Sequence, residues 1–156
     1  MYMHFKQRFF SWFDSYDIYG ENDEVLYTVE GQLSWGHCLK VFDAYGRHVA
    51  MLKEQVFTFL PKFDIYIGDE YVGFIKKEFT FFKPSFTMDY KGWSMDGDWL
   101  EWDYTIRDSL GAEIAAVSKN LFRWTDDYTI CVHDPQNALH ALMAVLAVDV
   151  QKCSRE

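Results

Sequence analysis

The chain has 156 residues, of which 49% are apolar and 19% aromatic, so it is long enough for one domain with a sizeable core, and no Pro/Ser/Gly-rich linker divides it. Its 15 basic and 24 acidic residues give a formal net charge of −9, which argues against a general attraction to nucleic acid or to anionic membranes. An odd number of cysteines without C-x-x-C spacing, and an N-terminus that does not resemble a signal peptide, indicate a reducing cytoplasm.

Alternation of apolar and polar residues predicts that most of the chain is β-structure. The first strand is indicated by Met3, Phe5 and Phe9, which share one face of an alternating pattern. Turn sequences such as GEND, AYG and SLG separate the strand-like runs that follow. In chain order these runs are SYDIY, EVLYTVEGQ, CLKVFD, HVAMLKEQ, FDIYI, EYVGFIKKE, SFTMDY, WLEWDYTIRD, AEIAAVSK and DYTICV. About eleven strands therefore precede one C-terminal helix.

One stretch of the chain occurs twice. Residues 41–67 align without a gap on residues 106–132. Asp43 coincides with Asp108 in this alignment, and the glycines three positions later coincide as well, where a turn is expected. We therefore predict two copies of one hairpin-and-return unit within a single domain of residues 1–156.

A shorter aromatic pattern recurs where strands are expected to end. It reads FSWFDSY from Phe10, FTFLPKF from Phe57, FTFFKPSF from Phe79 and FRWTDDY from Phe122. Each copy can end a strand with two large side chains on one face and then break the strand with Pro or Asp. We expect these segments to be corners of a curved sheet, with bulky residues such as Phe57 and Phe122 pointing inward.

The last predicted element is a helix over residues 135–150. Asp134 is suited to cap it, and the eleven residues from Ala138 onward are apolar except for His140. Such a helix has no polar face to turn toward water, so it must be buried all round. A bilayer span needs about 20 apolar residues, so we expect a core helix and no transmembrane segment. We expect His140 to be a neutral imidazole that is bonded to a barrel carbonyl or lies near a barrel mouth.

A closed barrel around the helix would satisfy both the sheet and the helix. A sheet of many short strands avoids exposed edges by closing into a barrel, and an apolar helix needs an apolar tube around it. We therefore predict an α+β fold in which a closed antiparallel barrel wraps around the C-terminal helix. Small residues at every third helical position would let the wall approach closely, namely Ala138, Ala141, Ala144 and Ala147.

Several segments resemble the LURP-one-related family, and the resemblance covers essentially the whole chain. They are FTFFKP, SKNLFRWTDDYTI and the closing DP-x-x-AL-x-AL helix. This family resembles in turn the Tubby carboxy-terminal domain and the phospholipid scramblases, whose shared fold is a closed antiparallel barrel of about twelve strands around a central hydrophobic helix. Those relatives imply phosphoinositide binding or membrane association. This sequence has no comparable basic pocket, cysteine-rich segment or calcium site.

Two groups of side chains offer reactive chemistry. Cys131 and His133 share a strand face and could be drawn as a nucleophile and a base, but strand alternation alone explains their spacing. We predict no catalytic residue and no enzymatic activity.

The acidic segment WSMDGDWLEWD offers several oxygen ligands for a divalent cation. It lacks the spacing of a calcium loop, and a turn at Asp96 and Gly97 with solvent-facing carboxylates explains it as well. We predict no metal and no cofactor, although cation binding by this hairpin stays open. The carboxylates in question are Asp96, Asp98, Glu101 and Asp103.

Three functions compete. The first is a non-enzymatic binding module that contacts phospholipid headgroups or a membrane-proximal partner. The residues that would serve it are Lys76, Lys77, Lys83, Phe81 and Phe82. The second is an intracellular protein-interaction or scaffold domain without lipid binding, and the third, which we rank last, is an enzyme. The first function predicts a cytoplasmic protein at the periphery of a membrane, while ligand identity, pathway and oligomeric state stay open.

Overall fold

The computed structural model describes residues 1–6, 15–32, 34–78, 85–119 and 127–153. Within these ranges the chain forms twelve strands, one short 3-10 turn and one α-helix. The strands are β1 (Tyr2–Lys6), β2 (Tyr16–Tyr19), β3 (Val25–Gln32), β4 (Cys38–Asp43), β5 (His48–Glu54), β6 (Lys62–Ile67), β7 (Glu70–Glu78), β8 (Ser85–Asp89), β9 (Ser94–Asp98), β10 (Asp103–Arg107), β11 (Glu113–Lys119) and β12 (Asp127–Val132). The 3-10 turn is Pro135–Asn137, and the helix α1 is Ala138–Cys153.

All twelve strands belong to one antiparallel sheet that curls into a nearly closed barrel. Its hydrogen-bonded order is β8-β7-β6-β5-β4-β3-β2-β1-β12-β11-β10-β9. The first and last strands along the chain, β1 and β12, therefore pair with each other. The strands at the two ends of the sheet order, β8 and β9, are neighbours joined by the 90–93 turn. This architecture confirms the predicted barrel.

The strands alternate in direction, which gives the barrel two different ends. Tight turns at 43–47 and 108–112 join β4 to β5 and β10 to β11 at one end, which we call the turn end. The 34–37 and 55–61 segments lie at the opposite ends of β4 and β5. We call that second end the loop end.

The two aligned turns have the same hydrogen bonds. In each, the N–H of the first residue, Asp43 or Asp108, donates to the carbonyl four residues later at 2.9 Å. In each, the carboxylate of that aspartate accepts from the amides two and four residues later. Gly46 and Gly111 take φ angles of 78° and 84°, the left-handed conformation that glycine adopts without a steric penalty. The aligned sequences thus form equivalent hairpins.

The helix α1 fills the barrel. Leu142, Val145 and Leu146 are fully buried, and the helix contacts β5 from the first copy of the repeat and β12 from the second. Asp134 accepts from the amide of Gln136 at 3.0 Å, as expected of a cap. The α-helix itself begins at Ala138 and runs to Cys153, because residues 135–137 adopt the tighter 3-10 geometry. Among the described residues, no helix combines the length and the apolar character that crossing a bilayer requires.

An aromatic stack closes the loop end of the lumen beside the last turn of the helix. Trp102 stacks on Tyr128 at a centroid distance of 3.9 Å, and Tyr128 stacks on Phe5 at 4.6 Å. The ammonium of Lys152 lies 4.0 Å from the Trp102 ring centroid and donates to the carbonyl of Leu100. The end of the helix is thereby held against the wall.

The predicted turn at Asp96 and Gly97 is wrong. Both residues lie inside β9, and the chain reverses instead at 99–102, where the Trp102 amide donates to the Trp99 carbonyl at 3.4 Å. Trp102 adopts a φ of 55° there. Both tryptophans are buried, so burial of two large rings decides the position of the turn over the local Asp-Gly signal.

Candidate functional site

Only part of the predicted lipid-contact set can be placed. Lys76 and Lys77 lie on β7, whereas Lys83, Phe81 and Phe82 fall outside the described residues. Strand alternation separates the two lysines that can be placed. Ile75 is fully buried, so alternation turns Lys76 toward the outer face and Lys77 toward the inner face, and both lysines are half-buried. The two neighbours in sequence therefore do not act as one outward pair.

Lys76 instead has an outward partner of the same charge. It lies directly opposite Lys62 in the β6–β7 register. The Lys62 ammonium lies 4.1 Å from the centroid of the Phe74 ring, and neither lysine forms an ion pair within the described residues. Like charges at directly opposed positions destabilise a sheet pair. This unneutralised pair therefore marks a place where a bound anion would be favourable.

The 55–61 loop carries two exposed aromatic rings beside this pair. Phe57 is 98% exposed and Phe59 is 97% exposed. The loop is nevertheless anchored at its base: the Gln55 amide donates to the Lys62 carbonyl at 2.8 Å, and the Lys77 amide donates to the Pro61 carbonyl at 2.9 Å. A fixed loop that presents two phenyl rings to solvent is typical of an interaction surface.

The predicted inward orientation of Phe57 is wrong. The strand β5 ends at Glu54 and β6 begins at Lys62, so Phe57 belongs to the connecting loop beyond the barrel wall and does not follow its alternation. Phe122, the other residue expected to point inward, lies outside the described residues.

A shallow pocket of about 360 Å³ lies between the exposed Phe59 ring and the two lysines. Its walls combine one exposed phenyl ring with the two opposed ammonium groups. The lining residues are Thr58, Phe59, Leu60, Lys62, Phe74 and Lys76. Such a pocket can bind an anionic group beside Lys62 and Lys76 while the apolar part of the same ligand packs against Phe59.

A second loop at the same end adds an indole. Trp35 is 87% exposed in the 34–37 segment. The following residue, Gly36, packs so closely on the 55–61 loop that an added Cβ would lie 2.6 Å from a methyl of Val56. The Glu54 amide donates to the His37 carbonyl at 2.7 Å, which ties the two loops together. We call Trp35, Phe57, Phe59, Lys62 and Lys76 the aromatic–lysine surface.

The reactive side chains identified in the sequence are directed to separate partners. Cys131 is paired with Tyr2 across the β1–β12 ladder, and a hydrogen bond to this thiol is the main cause that raises the pKa of the Tyr2 hydroxyl. The imidazole of His133 contacts a carboxylate oxygen of Glu113 at 2.5 Å.

The acidic residues do not converge either. Asp98 and Asp103 face each other across β9 and β10, and Asp96 is opposite Thr105. Within the ranges that the structure describes, no three His, Cys, Asp or Glu side chains are grouped so that they could hold a metal ion.

His140 lies near the 90–93 turn, at the turn end of the barrel. Its Nδ1 is hydrogen-bonded to the Tyr90 hydroxyl, and its ring packs edge-on against Trp93, with the two ring centroids 6.3 Å apart. Burial, and secondly the charge of Lys91, lowers the pKa of His140. The imidazole is therefore neutral, with a hydroxyl as its partner.

Sequence reasoning missed Lys62, Phe59 and Trp35 as members of one surface. Phe57 and Phe59 were visible in the FTFLPKF pattern, but whether such a segment belongs to the wall depends on where the strands end. Lys62 becomes a neighbour of Lys76 only through the β6–β7 register, and that register is a long-range feature.

Three comparisons found known proteins that are similar to this chain. A model of the LURP-one-related family matches residues 1–149. The uncharacterized protein YxjI of Bacillus subtilis (strain 168) is 27% identical over 146 residues, which cover 93% of this chain and 90% of that protein. The X-ray structure of a protein from Arabidopsis thaliana is similar with a TM-score of 0.66 at 16% identity, over 96% of this chain and 90% of that one.

Proposed function

This chain belongs to the LURP-one-related family, and we propose that its barrel is a non-enzymatic binding module that attaches to anionic phospholipid membranes through the aromatic–lysine surface. One observation carries the proposal: two almost fully exposed phenyl rings lie beside a pair of opposed lysines that form no ion pair among the described residues. Rings can enter the boundary between headgroups and acyl chains, while ammonium groups contact the phosphates.

The free energies expected for these contacts favour weak and reversible attachment to the membrane. Burial of each phenyl ring is worth about 1.5–3 kcal/mol, and each lysine near an anionic surface adds about 1 kcal/mol. Phe57 and Phe59 with Lys62 and Lys76 could therefore supply roughly 5–8 kcal/mol before the entropic cost of association. The net charge of −9 opposes approach, but screening over about 8 Å at physiological salt lets a local surface act partly on its own.

Liposome co-sedimentation at two salt concentrations tests the proposal. Vesicles of phosphatidylcholine with phosphatidylserine should sediment the protein at low salt and release most of it near physiological salt. Pure phosphatidylcholine vesicles should retain much less. Lys62→Glu/Lys76→Glu should abolish the dependence on anionic lipid, and Phe57→Ser/Phe59→Ser should abolish binding to both kinds of vesicle.

Matched controls come from residues of the same barrel outside the aromatic–lysine surface. Tyr45 and Leu110 are 85% and 92% exposed at the two repeated turns, so Tyr45→Ser/Leu110→Ser removes equivalent apolar surface away from the site. This control should bind like the wild type, as should Lys40→Glu/Lys91→Glu, which makes the same change of charge.

Two results would contradict the lipid proposal. One is the absence of sedimentation with anionic vesicles at low salt, and the other is equal loss of binding in the site and control variants. Either result would favour the second candidate, a protein-interaction domain that uses the same exposed rings against a protein partner.

A further inference from the structure

The barrel wall has one seam without strand pairing. Every neighbouring pair of strands in the sheet order is hydrogen-bonded, but β8 and β9 stand at its two ends and form no ladder within the described residues. The repeat shows what is missing: counted outward from the two equivalent hairpins, β3 corresponds to β9 and β2 to β8. The β2–β3 pair is bonded from Tyr16 opposite Val29 to Tyr19 opposite Val25. The β8–β9 seam is thus a local departure from the symmetry of the barrel.

A cleft of about 170 Å³ lies at this seam. Phe86 and Trp99 meet edge to face, with their ring centroids 4.9 Å apart. The lining residues are Ser85, Phe86, Met95, Asp96, Gly97, Trp99 and Tyr104. The cleft therefore combines aromatic and apolar side chains with polar groups, and its volume is close to that of the roughly 150 Å³ cavity that holds a benzene molecule in an engineered protein core.

Tyr104 lines this cleft, and its hydroxyl is buried behind the cleft surface. Its side chain is 2% exposed, and its hydroxyl has no hydrogen-bond partner among the described residues. Burial, and secondly the nearby charge of Asp149, raises the pKa of this hydroxyl well above its usual value. Tyr104 therefore stays neutral and keeps a proton to donate.

The repeat allows Tyr104 to be compared with the equivalent residue in the other copy. Leu39 is opposite Gly31 in the β3–β4 pair, and Tyr104 is opposite Gly97 in the β9–β10 pair, so the two positions are equivalent. Leu39 is fully buried and fills the closed seam without any polar atom. Only at the unpaired seam does the chain carry a hydroxyl at this position, although an unsatisfied buried hydroxyl is unfavourable.

We propose that the β8–β9 cleft is a binding site for a small neutral aromatic molecule that bears one hydrogen-bond acceptor, with Tyr104 as the donor. The aromatic walls select an apolar body of about the size of one substituted ring. Asp149 is buried near the Tyr104 hydroxyl and Asp96 lines the cleft, so both carboxylates disfavour an anionic ligand. A neutral carbonyl or ether oxygen is the acceptor that fits.

A peptide strand is the occupant that the geometry disfavours. The strands β8 and β9 still bring Cα atoms within 8 Å of each other. A further strand between two neighbours needs about 9.5 Å, twice the normal spacing of a sheet. The seam is therefore too narrow for an added strand at those positions.

Titration of the full chain with three matched probes, followed by amide NMR, tests the proposal. Acetophenone is neutral with one acceptor, ethylbenzene has a similar shape without one, and benzoate is anionic. Acetophenone should give saturable shifts at residues 86, 95–97 and 104, and should bind about three- to tenfold more tightly than ethylbenzene. Benzoate should bind more weakly than either.

Two variants separate the site from non-specific association. Tyr104→Phe removes only the unpaired hydroxyl, so it should stay folded, and it should bind acetophenone and ethylbenzene equally. Met95→Trp should fill the cleft and abolish both, whereas Met51→Trp at a half-buried, outward position on β5 should not. Absence of saturable shifts with acetophenone in the folded wild type, or an unchanged preference in Tyr104→Phe, would overturn the proposal.

Discussion

Truncation of one side chain in the helix α1 tests the whole architecture. Leu146 is fully buried inside the barrel, and Leu146→Ala leaves a void there. The surrounding wall is held by its strand ladders, so it can collapse only slightly into that void. We therefore expect a loss of about 3–5 kcal/mol, in the upper part of the range for buried Leu→Ala changes. This is a large share of the roughly 5–15 kcal/mol that stabilises a domain.

Urea denaturation and thermal melting followed by circular dichroism measure this loss. The melting temperature should fall by roughly 6–20 °C, because about 1 kcal/mol shifts it by 2–4 °C in a chain of this size. Leu110→Ala is the matched control, since Leu110 is 92% exposed at a turn and its truncation should change stability by less than about 0.5 kcal/mol. Leu146→Asp should not fold, because an unpaired carboxylate in an apolar lumen is too costly. Equal losses in the two Leu→Ala variants, or a soluble and cooperatively melting Leu146→Asp protein, would refute the buried helix.

Three further predictions follow from single sites. His140 has a lowered pKa, so the unfolded chain takes up the proton first and stability should fall as the pH drops below about 6.5; urea melts of His140→Asn should depend less on pH across this range. Gly46→Ala and Gly111→Ala meet no atom within 4 Å, so each should cost about 1–2 kcal/mol through backbone strain alone and the double variant should be additive in denaturation experiments. Cys131→Ser and His133→Asn should leave vesicle binding unchanged, and a catalytic turnover lost in either variant during a substrate screen would overturn the non-enzymatic proposal.

The candidate surface shows how far sequence patterns reach. The lysines at 76 and 77 were identified from composition, but alternation on β7 turns only the first of them outward. The FTFLPKF pattern was correctly taken as a break between strands, yet Phe57 and Phe59 were expected in the wall. A pattern of residue types locates a boundary, but the side on which a ring lies depends on the last residue that pairs with a neighbouring strand.

The sequence by itself determined the buried helix, the antiparallel strands and the two equivalent turns. These features depend on periodicity and on turn residues such as Gly46, and both act over a few neighbouring positions. Only the tertiary structure decided that Lys62 lies opposite Lys76, that the 99–102 turn replaces the one expected at Asp96, and that the β8–β9 seam lacks a ladder. Each of these depends on strand register and on which distant segments are buried against each other. A local sequence pattern does not contain that information, because it reflects only neighbouring residues.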